Sequence, residues 1–154
     1  MRRLLGRWDV TDSEDAMNDR RHLSRPSGMP PPTRATLPDG QVVDLGALAA
    51  EISVEHMTRH PDDLARYGEV GREWCVHDNQ HLLNWAVLEV CGGLDFGPQV
   101  AWLAGVLGSR GYPLESLADD LRMAAQTVRR RLTGEHARQL ADVLERGIDF
   151  VDPG

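Results

Sequence analysis

The chain has 154 residues, 27% of them charged and 41% apolar, with a formal net charge of −7, which suits one globular domain with a tail. No apolar run approaches the ~20 residues that a membrane-spanning helix needs. All 17 basic residues are arginine; seven fall in the first 36 residues against five acidic ones, leaving an acidic body that argues against broad phosphate-backbone binding.

Met1-Arg2-Arg3-Leu4-Leu5 begins like a signal peptide, but Arg7, Asp9 and Asp12 interrupt any apolar core, so the chain reads as cytoplasmic. Residues 1–35 mix charged and polar residues with the run Met29-Pro30-Pro31-Pro32 and read as a disordered tail. Leu4, Leu5 and Trp8 form its one apolar cluster, suited to docking on a partner. Residues 36–154 read as a single all-α domain, a bundle of about five or six helices. Thr36 to Leu45, with Pro38-Asp39-Gly40 between short apolar pieces, predicts a small β-hairpin or tight turn before the first helix, and Asp44 is the expected N-cap.

The first helix is expected from Leu45 to Arg59, closed by Pro61. Leu48 and Ile52 set its inner face, and either Glu55 or His56 continues it. Glu51, Glu55, His56 and His60 read mainly as a solvated polar face. A short helix follows from Pro61 to Tyr67, with Pro first and Asp62-Asp63 in the first turn. Gly68 and Gly71 bracket the approach to the longest helical pattern, Glu69 to Gly93, which holds two of the four tryptophans, two of the six histidines and both cysteines. Cys75 and Cys91 stand about 24 Å apart on one helix at ~1.5 Å per residue and cannot pair with each other, so both are expected as free thiols.

On this central helix Val70, Trp74, His81, Trp85 and Leu88 share one side, and His77 and Asp78 fall beside them. Polar groups among tryptophans suggest a packing pair satisfied within the helix or a ligand contact. The candidate ligand-binding set is Trp74, His77, Asp78, His81 and Trp85. His56 with His60, and His77 with His81, are each spaced by four; if their two helices faced each other, these four histidines could hold a metal ion. No Glu-x-x-His or His-Glu-x-x-His pattern accompanies them, and the sequence does not identify a cofactor.

Later helices are expected at Gln99–Ser109, Leu114–Leu132 and Glu135–Arg146, with Leu117, Leu121, Ala124 and Val128 inward on the second and Leu140, Val143 and Leu144 on the last. Residues 117–132 also resemble a helix-turn-helix with Arg129, Arg130 and Arg131 on the recognition helix. Arg122 stands where the turn usually has glycine, and Met123-Ala124-Ala125-Gln126 is a good helix-forming run, so one continuous helix is preferred. No phosphate loop, dinucleotide fingerprint or nucleophile elbow is present.

Arg66-Tyr67-Gly68-Glu69-Val70-Gly71-Arg72 leading to Asp78 and His81-Leu82, with Trp102-Leu103 leading to Arg110-Gly111, resembles helical accessory modules of bacterial sensory and regulatory proteins. The resemblance spans about residues 60–132 and implies a sensing or interaction module without catalytic residues. The leading expectation is therefore a non-catalytic regulatory module that binds a small ligand or cofactor, or a protein partner that includes a second copy of itself. The alternatives are a DNA-binding regulator using residues 117–132, a histidine–carboxylate metal enzyme, and a scaffold or adaptor docking through its tail.

Overall fold

The computed structural model describes residues 30–152, the side chain of Leu64 excepted. The tail cluster Leu4, Leu5 and Trp8 lies outside the described residues. The described chain runs β1 (Arg34–Thr36), β2 (Val42–Asp44), α1 (Leu45–Arg59), α2 (Pro61–Val90), α3 (Phe96–Ser109), α4 (Leu114–Arg131), α5 (Glu135–Arg146) and a 3-10 turn (Gly147–Phe150). It is an all-α bundle preceded by the expected hairpin. Among the described residues no helix is long and apolar enough to cross a membrane.

The hairpin is antiparallel, with Arg34 opposite Asp44, Ala35 opposite Val43 and Thr36 opposite Val42. Its first strand begins two residues inside the stretch read as tail. Leu45 donates its backbone N–H to the Thr33 carbonyl at 2.9 Å, and Gln80 Nε2 reaches the Pro32 carbonyl at 3.1 Å, so this segment is tied to the bundle. Asp44 is the N-cap of α1, its Oδ1 accepting from the Ala47 N–H at 2.9 Å.

Helix α1 packs on α2 and α4, α4 on α5, and α5 on α2, so these four helices close a ring. The ring interior takes Ile52, Trp74, Leu83, Leu121 and Leu140, all at most 1% exposed. Burial of such side chains stabilises by about 1.5–3 kcal/mol each. Helix α2 is two helices joined at a kink, where Gly68 has φ +65° and ψ −153°, a conformation open essentially to glycine alone. Helix α4 is continuous through Arg122, so the helix-turn-helix alternative does not form.

Helix α3 starts three residues earlier than expected, at Phe96, because Pro98 is tolerated in a first turn. Glu89 on α2 holds that start, its Oε1 accepting from the Phe96 N–H at 2.7 Å. The 3-10 turn closes on α3 by two glycine–phenylalanine contacts. A Cβ at Gly97 would stand 2.6 Å from the Phe150 ring, and one at Gly147 would stand 2.5 Å from the Phe96 ring. Each phenylalanine thus lies on the other segment's bare backbone.

Candidate functional site: a buried histidine and its carboxylates

The inner face of α1 runs Leu45, Leu48, Ile52 and then His56, which is 1% exposed. The stripe that buries the leucines therefore buries an imidazole, while Glu55 stays at the side. The chain then reverses. His60 precedes a proline and takes an extended φ of −124°, ending α1, and the Asp63 N–H returns to the His60 carbonyl at 3.0 Å. This brings Asp63 back beside His56, with Asp63 Oδ2 3.1 Å from His56 Nε2. From α4, Asp120 Oδ1 stands 3.6 Å from Nδ1, an ion-pair separation rather than a hydrogen bond.

The neighbours complete the cluster. The Tyr112 hydroxyl donates to Asp63 Oδ2 at 3.3 Å. Asn79 Nδ2 donates to Asp120 Oδ1 and to the Cys75 carbonyl, each at 3.0 Å. Burial pulls the His56 pKa down, but the Asp63 hydrogen bond and the charges of Asp120, Asp63 and Asp119 outweigh it and hold the imidazole above its ordinary 6.5. Burial pushes the Asp120 carboxyl above its usual range, more than His56 and Asn79 lower it. The Asp63 carboxylate at Nε2 and the Asp120 carboxyl on the Nδ1 side both favour the protonated form of the His56 imidazole.

His60 stacks on His56 with ring centroids 4.7 Å apart. Its Nε2 lies 3.0 Å from Asp119 Oδ2 and its Nδ1 3.5 Å from Ser116 Oγ. Burial raises the Asp119 pKa, but the His60 and Arg122 hydrogen bonds prevail and leave it low. Serine, histidine and aspartate are the residue types of a hydrolytic triad. Here the serine contact is at the limit of a hydrogen bond, Ser116 is 4% exposed, and neither Ser116 nor His60 lines the cavity beside them. The contact positions His60 and offers no accessible nucleophile.

That cavity, about 30 Å³ in volume, lies among α1, α2 and α4. Its polar lining residues are His56, Asp63, Asp78, Asn79, Tyr112 and Asp120; its apolar ones include Met57, Tyr67, Leu82, Leu107 and Leu117. The space takes one or two water-sized groups. Asn79 is 1% exposed, and its Oδ1 has no hydrogen-bond partner. The amide orientation follows from its surroundings, since the Nδ2 side faces two oxygens. Gly71 lines the cavity too, with no room for a side chain against Tyr67.

Of the expected ligand set, Trp74 is buried in the core at 1% exposure, and His77, Asp78, His81 and Trp85 are half-buried. His81 and Trp85 meet ring to ring at 5.9 Å. Only Asp78 of the five reaches the cavity, which α2 lines with Tyr67, Gly71, Cys75, Asp78, Asn79 and Leu82. That row is one residue, ~100°, round the helix from the expected one.

Of the expected metal set, His56 and His60 come together, whereas His77 and His81 stay outside the cavity. Among the described residues no group of three or more histidine, cysteine, aspartate or glutamate side chains is placed to hold a metal ion.

The arginines expected for DNA are committed within the chain. Arg129 pairs with Glu145 at 2.6 Å and Asp142 at 3.3 Å, Arg130 with Glu51 and Glu55 at 3.5 Å, and Arg131 with Glu51 at 3.0 Å. The Arg131 hydrogen bond, ahead of the other contributions, draws the Glu51 pKa below its usual value. The thiols are not disulfide-bonded; Cys75 is half-buried and Cys91 exposed.

Asp63, Asn79, Tyr112 and Asp120 were not singled out by sequence reasoning. The one available signal was the weak choice between Glu55 and His56 as the residue that continues the inner face of α1. No protein-family model matches the chain, and no curated protein or solved structure is similar enough to inform it.

Proposed function

We propose that the protein is a non-catalytic regulatory or sensory module that takes a small ligand in the cavity among α1, α2 and α4. The observation that carries this reading is that the hydrogen-bonded cluster of His56, Asp63, Asn79, Tyr112 and Asp120 contributes to the lining of a cavity that is otherwise mostly apolar. A few fixed polar groups against an apolar wall are how small-molecule sites set orientation. The same groups hold three helices to one another, so a ligand binding there would act directly on helix packing.

The test is a set of amide NMR titrations of the full chain with methylammonium chloride, sodium acetate and sodium phosphate at constant ionic strength. The expected result is that one probe shifts the resonances around residues 56, 63, 79, 112 and 120 saturably. If none of the three does so, the cavity is not a ligand site and the reading falls.

A further inference from the structure

We propose that a surface groove between the start of α4 and the end of the described chain is the docking site of this chain's own residues 1–8. The groove, about 510 Å³ in volume, is lined by Leu114, Ala118, Ile148 and Val151 and by Glu115, Asp149 and Asp152. The four apolar residues are buried or half-buried, and the three acidic ones are exposed. An apolar floor under an acidic rim suits an apolar segment that also carries positive charge.

Residues 1–8 have that composition. Leu4, Leu5 and Trp8 are apolar, Arg2, Arg3 and Arg7 are basic, and none is acidic. The other surface grooves match it less well. Arg129 and Arg138 line the one at the start of α5, and Arg146 lines those beside Phe150 and Val90. Asp119, Asp142 and Glu145 on α4 and α5 are paired with arginines, whereas Glu115, Asp149 and Asp152 have no basic partner among the described residues.

The connection is long enough. The described chain begins at Pro30, and the Pro32 carbonyl is held on α2 by Gln80. The 21 residues between Trp8 and Pro30 span up to roughly 70 Å when extended. A domain of this size has a radius of gyration of about 14 Å, so every face lies within reach. Exposed ion pairs hold weakly, so the arginines orient the segment while Leu4, Leu5 and Trp8 supply most of the attachment.

NMR of the full chain, labelled at amides and methyls, tests this. The Trp8 indole, assigned by its loss in Trp8→Ala, should show nuclear Overhauser contacts with methyls of Leu114, Ala118 or Ile148. Trp8→Ala should also move the amide resonances of residues 115, 118, 148, 149 and 152. Glu115→Gln combined with Asp149→Asn should reduce the Trp8 contacts by roughly half, as should raised salt in the wild type.

A folded wild type whose Trp8 makes no contact with the groove, or makes its contacts on another face, would overturn the proposal. Undiminished contacts in the folded double variant would overturn the charge matching and the assignment with it. Contacts seen only between differently labelled copies in a mixed sample would give the groove to a second copy's segment and overturn docking within one chain.

Discussion

Helices α1 and α4 run antiparallel and are joined twice. His56 meets Asp120 in the interior, and on the outer side of α1 Glu51 and Glu55 meet Arg130 and Arg131 at the surface. The surface pairs have more partners and comparable or shorter distances, yet their side chains are 26–60% exposed, against 2% and 7% for His56 and Asp120. Water screens the first set and is largely excluded from the second. Exposed pairs contribute little, whereas removing one member of a buried pair strands the other. Distance alone would rank the two joints the wrong way round.

The widest break in this comparison is His56→Leu, which leaves Asp63 and Asp120 buried without their imidazole partner. Urea unfolding should show a loss of about 3–5 kcal/mol; a loss below ~1 kcal/mol would mean that the two carboxylates do not depend on the imidazole. Next comes Gly68→Ala, which forces an alanine into the kink within α2. The expected cost is about 1–3 kcal/mol by the same measurement.

The pH dependence sharpens the contrast. His56 has a folded pKa above 6.5, so its contribution to stability is complete below pH 6.5 and is lost as pH rises through the folded value. Asp119 has a folded pKa below 3.8, so its contribution is present above pH 3.8 and disappears as pH falls through the folded value. Denaturant midpoints should therefore fall on the alkaline side in the wild type, and this alkaline limb should flatten in His56→Leu.

Tyr112→Phe removes one neutral donor to Asp63 and should cost about 1 kcal/mol. The smallest effect is expected from Arg131→Ala at the surface joint, under ~1 kcal/mol and diminishing as salt is raised. A salt-insensitive loss as large as that of His56→Leu would erase the distinction between the two joints.

The bundle was legible because its signals are local. Asp44 caps α1 with its own side chain, Pro38-Asp39-Gly40 makes its turn within a few residues, and Leu117, Leu121, Ala124 and Val128 keep one period along α4. The site was not legible because it is assembled across the chain. His56 meets Asp63 only after the reversal at His60-Pro61, and Asp120 arrives from a helix two elements later. The central helix misled for a different reason. It packs against α1, α3 and α5 and is buried on several sides, so a tryptophan-rich row does not mark the row that lines a cavity. Trp74 belongs to the core, and the cavity lies one residue round the helix.

The paired contacts of Phe96 with Gly147 and of Phe150 with Gly97 set an order of events during synthesis. The ring of Phe96 emerges from the ribosome 51 residues before the glycine it rests against. Until Gly147–Phe150 is made, α3 lacks the segment against which its first turn closes. A chain ending at Arg146 contains all four ring helices but lacks the Gly147 backbone on which the Phe96 ring rests. The last turn of the described chain therefore completes a packing contact that the middle of the chain begins, so this domain finishes folding only after its 3-10 turn has been translated.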